Sequence, residues 1–201
     1  MEVLSLVIVF IAAYLIGSVP TGYIVVKIAK NEDIRKLGSG STGATNVKRV
    51  MGKTWFFIVM LLDALKGALS VVLAAVFVGT GLYFGLAPVL AAIAVILGHS
   101  KSVFLKFSGG KSVASGVGTI IALSWQAGLL VAVVWAVTTY ASKYVSVGSI
   151  IALSLSPFLM WYFDKPPAYI LYCVVGAVYI IYLHRENVVR LVKGTENKVR
   201  G

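Results

Sequence analysis

The sequence predicts an all-α integral membrane protein, a bundle of seven transmembrane helices with its N-terminus outside and its C-terminus in the cytoplasm. Of its 201 residues, 59% are hydrophobic and only 12% are charged, whereas a soluble domain carries about a quarter charged residues. Long apolar runs alternate with short loops that hold most of the 18 Lys and Arg residues. The core of a soluble protein could not bury this much apolar surface, so the chain is predicted to lie in a membrane.

Each predicted helix comes from one apolar run. A helix needs about 20 apolar residues to cross the hydrocarbon layer. The runs that approach this length are 3–28, 54–78, 82–97, 112–124, 126–141, 147–163 and 168–183. The first run lacks the basic start and cleavage pattern of a signal peptide, and we expect it to stay as the first helix. The one cysteine, Cys173, lies in the last run and is expected to be a small buried apolar side chain.

The stretch from 112 to 142 could form one long helix or two short ones, and loop charge decides between them. With two helices here, the loops 27–53, 99–111, 143–146 and 184–201 share one side and hold 16 of the 18 basic residues. One helix would send the five basic residues of the tail outside, against the positive-inside rule. The sequence therefore predicts a multi-pass membrane protein whose polar loops face the cytoplasm. The polar segments are too short to fold alone, so residues 1–201 are predicted to form a single domain.

The loop after the first predicted span combines glycine, hydroxyl and basic residues. It reads GSGSTGATNVKR over residues 38–49. Glycines permit close backbone approach, and successive N–H groups can bind an anion. Arg49 adds a planar guanidinium that can bind phosphate through two hydrogen bonds. These residue types favour phosphate binding over a merely flexible loop.

Two further loops carry candidate site residues. Lys111 follows two glycines at a predicted helix start, where free N–H groups and a fixed cation would both attract an anion. His99 ends the preceding helix, and its simplest role is a structural hydrogen bond to the backbone. His184 and Asn187 are three residues apart and share a face if the last helix continues. The pair could bind a hydroxyl or phosphate oxygen, or it could simply lie at a solvated helix end. The residue types favour neither interpretation.

Two polar features lie at or inside the predicted spans. Asp63 and Lys66 are about one turn apart within the second span, which predicts an ion pair facing the interior of the bundle. Ser146 opens the sixth span, where a serine usually caps the helix.

Several classes of site are excluded. The glycine that a Walker-A loop requires is replaced by Leu105 or Val47 in the two stretches that otherwise fit. A His-x4-Asp pair is absent, because Phe104 and Val189 stand at the positions of the aspartate. With two histidines and scattered acids, a zinc site is not expected. Basic residues confined to short loops also argue against nucleic acid as a partner.

Taken in order, the motifs resemble those of the bacterial acyl-phosphate:glycerol-3-phosphate acyltransferases, the PlsY-type membrane enzymes. The matching segments are GSVP at 17–20, GSGSTGATNVKRVMGK at 38–53, DALKG at 63–67, GH at 98–99, FSGGKSVA at 107–114, KYVS at 143–146 and HREN at 184–187. The resemblance runs nearly end to end. The chain differs from the usual family pattern at Ser41, Ser112 and residues 100–102.

The resemblance implies a seven-helical enzyme of the bacterial cytoplasmic (inner) membrane, with its active site at the cytoplasmic face. A monomer is the simplest expectation, although the sequence does not reveal the oligomeric state. The implied reaction transfers a fatty acyl group from acyl phosphate to the 1-hydroxyl of glycerol 3-phosphate. The products are lysophosphatidic acid and phosphate, and the reaction uses no metal or cofactor. It belongs to phospholipid biosynthesis, and the enzyme is surrounded by membrane lipids. The family's phosphate-binding residues correspond to Ser39, Thr42, Gly43, Asn46, Arg49 and Lys111. Its residues for glycerol 3-phosphate binding or catalysis correspond to Lys111, Ser146, His184 and Asn187.

Two questions of mechanism stay open at the level of sequence. The proton of the attacking hydroxyl could pass to the substrate's own phosphate, which we favour, or to His184. The acyl chain is expected in a groove between helices that opens to lipid. The alternative function is an organic-phosphate transporter, although such a protein should place its site near mid-bilayer, often within inverted repeats.

Overall fold

The computed structural model describes residues 2–78 and 85–199. In these ranges the regular structure is helical, with one isolated bridge between Ser102 and Ser108, which confirms the all-α prediction. The α-helices are Glu2–Ser18 (α1), Thr21–Lys30 (α2), Ala44–Met51 (α3), Lys53–Val78 (α4), Leu86–Ser100 (α5), Val113–Leu123 (α6), Trp125–Ser142 (α7), Val145–Tyr162 (α8), Pro167–Leu183 (α9) and Arg185–Val192 (α10). The chain divides into two compact units, 1–119 and 120–201.

Several helices are long and apolar enough to cross a membrane. Within the described ranges four candidate spans pass by length and composition: 3–30, Lys53–Val78, Trp125–Ser142 and Val145–Tyr162. A fifth results if α9 and α10, which meet at 57°, are one broken span, and the apolar helices α5 and α6 are shorter. The count of seven spans and the orientation of the termini therefore stay predictions. The predicted start of the third span, at Leu82, lies outside the described residues.

The first apolar run is not one continuous helix, so the prediction of a single helix over 3–28 is wrong. The run breaks between Ser18 and Thr21. Pro20 causes the break, because proline has no N–H to donate to the preceding turn and its ring clashes with that turn. Side chains from the loop after α5 and from α4 then bind carbonyls at the break. Ser102 Oγ donates to the Ser18 carbonyl at 2.6 Å and Lys66 Nζ donates to the Val19 carbonyl at 2.9 Å.

Helix α4 shows how the chain meets lipid. Four large apolar side chains spaced four residues apart on this helix are exposed: Phe57, Leu61, Leu65 and Leu69. Its buried face instead carries Asp63, Lys66 and Ser70. This is the reverse of a soluble helix, and it is typical of a span whose outer face contacts hydrocarbon and whose polar groups face protein.

Small residues let α1 and α5 cross closely within the first unit. A Cβ added at Gly17 would overlap the backbone of Val95, and one added at Gly98 would overlap the carbonyl of Tyr14. In lipid there is little hydrophobic drive for helices to associate, so close packing at small residues is a main source of attraction. This crossing places His99, the residue after Gly98, against α4.

In the second unit α7 packs on α8 and α8 packs on α9. The prediction that the stretch 112–142 forms two helices is confirmed, because α6 ends at Leu123 and α7 begins at Trp125. The intervening Ser124 caps α7, its hydroxyl accepting from the backbone N–H of Ala127 at 3.5 Å. The sequence itself indicates this boundary, since a serine at this position offers α7 an N-cap.

Candidate functional site

The first polar loop is built around the side chain of Asn46. This amide is buried, and its Oδ1 accepts from the backbone N–H of Ser39 at 2.9 Å. Its Nδ2 donates to the carbonyls of Leu37 and Ser41, each at 2.9 Å. Both ends of the amide are therefore used within the loop. Asn46 holds the loop closed on itself, so the shape of the segment is set before any ligand arrives.

The loop leads into the N-terminus of α3. Gly43 is the N-cap residue and no side chain caps the helix, which leaves N–H groups of the first turn directed at the loop. Thr42 is buried beside it, whereas Ser39 and Arg49 are exposed. In the described part of the chain the Arg49 guanidinium makes no hydrogen bond or ion pair. An uncapped helix N-terminus followed by an exposed guanidinium is suited to an anion.

The second polar loop joins α5 to α6 and is fixed by backbone contacts. The Gly110 N–H donates to the His99 carbonyl at 3.1 Å, and Ser112 Oγ donates to the Ile96 carbonyl at 2.9 Å. Gly110 lies directly on the imidazole, where an added Cβ would overlap Nε2 of His99. Lys111 follows Gly110 and is half-buried. The histidine ring thus determines where the backbone before Lys111 can lie.

The ring of His99 belongs to a buried polar cluster, and the expectation that it binds the backbone is wrong. Its Nδ1 lies 3.2 Å from Ser115 Oγ and 3.5 Å from Asp63 Oδ1. The predicted ion pair is confirmed, with Lys66 Nζ 2.8 Å from Asp63 Oδ1, and Thr21 Oγ1 donates to the same carboxylate oxygen. The cluster thereby joins the break between α1 and α2 to the loop that carries Lys111.

Replacing Lys66 by methionine is expected to destabilise the protein strongly. The change leaves the Asp63 carboxylate buried without its cation, and breaking a buried pair in this way costs about 3–5 kcal/mol. Unfolding of the purified protein in detergent, followed by circular dichroism, measures this effect. Lys53→Met is the matched control, since Lys53 is exposed at the start of the same helix. Equal midpoints for the two variants would contradict a structural role for the pair.

The second unit contributes His184, which lies at a sharp bend. Helices α9 and α10 meet there at 57°, so the last helix does not continue straight from His184 to Asn187. His184 is buried and its Nδ1 lies 2.8 Å from the Ile180 carbonyl. A carbonyl only accepts, so Nδ1 carries the proton, and in the neutral ring Nε2 holds the lone pair. This tautomer makes Nε2 the basic atom.

Ser146 and Asn187 meet at one carboxylate oxygen. Ser146 Oγ donates to Glu196 Oε1 at 2.9 Å, and Asn187 Nδ2 donates to the same oxygen at 2.6 Å. The other oxygen, Oε2, accepts from Arg190 Nε at 2.7 Å. Ser146 follows Val145, the first residue of α8, and its hydroxyl does not cap that helix, so the N-cap prediction is wrong. The site residues of this unit are joined by a residue that sequence reasoning did not select.

Glu196 is held in place by the tail around it. The Val199 N–H donates to the Lys143 carbonyl at 2.7 Å, and the Lys198 ammonium lies 5.9 Å from the centre of the Tyr144 ring. Burial raises the pKa of the Glu196 carboxyl, but hydrogen bonds from Asn187, Arg190 and Ser146 outweigh it and lower the pKa from its ordinary value of 4.5. The group is therefore ionised at neutral pH. Its contribution to folding is complete above the ordinary pKa and is lost as pH falls through the lowered one.

Within residues 2–78 and 85–199, no group of three or more His, Cys, Asp or Glu side chains could hold a metal ion. Cys173 is buried in α9, as expected.

The apolar helices and the polar groups held inside them define an integral membrane protein with polar, basic loops. The chain belongs to the glycerol-3-phosphate acyltransferase family, which it matches over residues 7–194. The glycerol-3-phosphate acyltransferase of Trichormus variabilis is 45% identical, over 95% of this chain and 90% of the relative. Glycerol-3-phosphate acyltransferase 2 of Moorella thermoacetica is 42% identical, over 94% of this chain and 95% of the relative.

Two crystal structures have the same fold. One is the glycerol 3-phosphate form of PlsY (YgiH), an integral membrane glycerol 3-phosphate acyltransferase, with a TM-score of 0.91 and 35% identity over 98% of this chain and 96% of that one. The other is the lysophosphatidic acid form of PlsY, with a TM-score of 0.89 and 33% identity over the same shares of the two chains. The resemblance inferred from the motifs is confirmed, and the enzyme interpretation is preferred to the transporter.

Proposed function

We propose that this chain transfers a fatty acyl group from acyl phosphate to the 1-hydroxyl of glycerol 3-phosphate. The observation that carries the choice of donor is the preformed 38–49 loop, which offers the uncapped N-terminus of α3 and the exposed Arg49 to an anion. In acyl phosphate the anion is bonded directly to the reacting carbonyl. A phosphate-binding loop therefore positions the reacting end of this donor, whereas a thioester has no anion at that place.

The phosphate ligands we propose divide into direct and indirect ones. Exposed Ser39 and Arg49, the helix start at Gly43 and the ammonium of Lys111 would bind phosphate oxygens directly. Buried Thr42 and Asn46 would act by holding the loop in its binding shape. This division follows from the hydrogen bonds of Asn46, whose amide is bound to backbone groups of residues 34–41.

The acceptor is assigned to the second group of side chains. Crystal structures of PlsY in glycerol 3-phosphate and lysophosphatidic acid forms, at 35% and 33% identity, support glycerol 3-phosphate as acceptor and its monoacyl ester as product. We propose that Ser146, His184 and Asn187 bind the glycerol hydroxyls and the phosphate. Such polar groups, placed before the reaction, orient the nucleophile.

The chemistry requires no covalent enzyme intermediate. The glycerol 1-oxygen forms a bond to the acyl carbon, the bond from that carbon to the phosphate oxygen breaks, and phosphate leaves with the electron pair. The hydroxyl proton passes to a substrate phosphate oxygen or to Nε2 of His184. Cations at Arg49 and Lys111 stabilise the charge that grows on the leaving phosphate. We propose that the enzyme works as a monomer and a single domain, without metal or cofactor.

The location follows from the basic loops. We propose seven spans in the bacterial cytoplasmic membrane, with the loops 27–53, 99–111, 143–146 and 184–201 on the cytoplasmic side. Cysteines introduced at Lys101 and Lys165, in a chain with Cys173→Ala, test this in intact cells. A reagent that does not cross membranes should label position 165 only, and position 101 should react after the cells are opened. Labelling of position 101 in intact cells would contradict the topology.

Donor choice is tested with purified protein in lipid vesicles. Acyl phosphate, acyl-coenzyme A and acylated carrier protein are each supplied with glycerol 3-phosphate, and lysophosphatidic acid is measured. The proposal predicts product from acyl phosphate alone. Equal or greater product from a thioester would overturn the assignment of the donor, and uptake of glycerol 3-phosphate without product would favour transport.

A further inference from the structure

Glu196 lies where two proposed substrate ligands meet. Only 5% of its side chain is exposed, and its three partners are Ser146, Asn187 and Arg190. Ser146 is 50 positions away in sequence and Asn187 is nine. A carboxylate placed between residues on α8 and α10 fixes the orientation of both side chains together.

The direction of each hydrogen bond follows from the charge. An ionised carboxylate only accepts, so the hydroxyl proton of Ser146 points at Glu196 and the lone pairs of Ser146 Oγ remain as acceptors. In the same way the NH₂ group of Asn187 faces the carboxylate, which determines that Oδ1 is the end turned away. Without Glu196, the hydroxyl could rotate and the amide could turn over.

This orientation fits an alcohol substrate. Each glycerol hydroxyl donates one hydrogen bond when it binds, so the site must offer it an acceptor. Ser146 Oγ, with its own proton directed at Glu196, is such an acceptor.

We propose that Glu196 is a positioning residue that orients Ser146 and Asn187 as acceptors for the hydroxyls of glycerol 3-phosphate. This role rests on the acyltransferase function proposed above.

Two other roles for Glu196 are less well supported. In the first role, Glu196 would accept a proton through Ser146. It would be a weak acceptor, because three hydrogen bonds and the positive charge of Arg190 stabilise its ionised form. In the second role, the tail would inhibit the enzyme by covering the substrate site, and it would then have to leave that site readily. Residues 195–199 are instead bound to Arg190, Lys143 and Tyr144 on both sides of Glu196.

The test is a steady-state comparison of Glu196→Gln and Glu186→Gln in lipid vesicles. Glu186 is exposed on the same helix as Asn187, so its variant controls for loss of one carboxylate. For Glu196→Gln the KM for glycerol 3-phosphate should rise by about tenfold or more, the scale of losing a hydrogen bond to a charged group. The KM for acyl phosphate should stay near that of the control. Glu196→Asp, which keeps the charge on a shorter side chain, should give an intermediate rise and serves alone if the glutamine variant does not fold.

Each alternative gives a different result. A fall in the KM for glycerol 3-phosphate would show that the tail inhibits, and would overturn the proposal. A lower unfolding temperature with both KM values unchanged would mean that Glu196 only stabilises the fold, and would also overturn it. If the wild-type protein makes no lysophosphatidic acid from acyl phosphate, the proposed function fails. An active wild type with an unaltered Glu196→Gln variant refutes the positioning role alone.

Discussion

Lys111→Ala should lose acyl transfer by about a hundredfold to a thousandfold while the protein stays folded, as when one preorganised charge-stabilising group is removed from an active site. Lys111 follows Gly110, whose backbone is bonded to the His99 carbonyl, so its ammonium is presented from a fixed loop. The charge on the leaving phosphate grows during the reaction, and the loss should therefore appear mainly in kcat. Lysophosphatidic acid formation in vesicles is the measurement.

Lys101→Ala is the matched control for Lys111→Ala. Lys101 is exposed in the same loop, and its backbone makes the contacts: its N–H donates to the Leu97 carbonyl and its carbonyl accepts from the Tyr14 hydroxyl, each at 2.7 Å. This control should retain wild-type activity. Equal activity of the two variants would mean that Lys111 takes no part in the reaction.

Arg49→Ala should show a loss of similar size, and Arg49→Lys should recover only part of it. Lysine restores the charge but not the planar pair of donors that a phosphate accepts. The effect should fall on the KM for acyl phosphate as well as on kcat, because the guanidinium binds the donor before the reaction. Lys36→Ala, an exposed cation just before the same loop, should leave both constants unchanged. Full recovery by Arg49→Lys would contradict a bidentate contact.

Some parts of the fold are determined by residues close together in sequence, and these parts could be predicted. The two-helix structure around Ser124 could be predicted because the charge of the loops favoured two helices over one. Ser124 is a further local signal, since serine is a strong N-cap. The pair of Asp63 and Lys66 followed from helical spacing. The break at Pro20 was also readable, since proline in an apolar run ends or bends a helix, but the length of the run was given more weight.

The site was harder to predict because its main contacts join residues that are distant in sequence. No glycine or proline marks the bend at His184. A helix-start serine such as Ser146 usually caps its own helix, and nothing nearby shows that its hydroxyl instead meets Glu196, 50 positions away. The one usable signal was Glu196 itself, one of two acidic residues among the basic residues of the tail. The partners of His99 were hidden in the same way, because they lie on α4 and α6.

The most direct test is a simultaneous time course of lysophosphatidic acid and inorganic phosphate, from purified protein in vesicles given acyl phosphate and glycerol 3-phosphate. The reaction proposed here makes the two products in equal amounts, and neither forms when the protein is absent. Phosphate released without lysophosphatidic acid, or glycerol 3-phosphate taken into the vesicles without either product, would contradict acyl transfer from acyl phosphate.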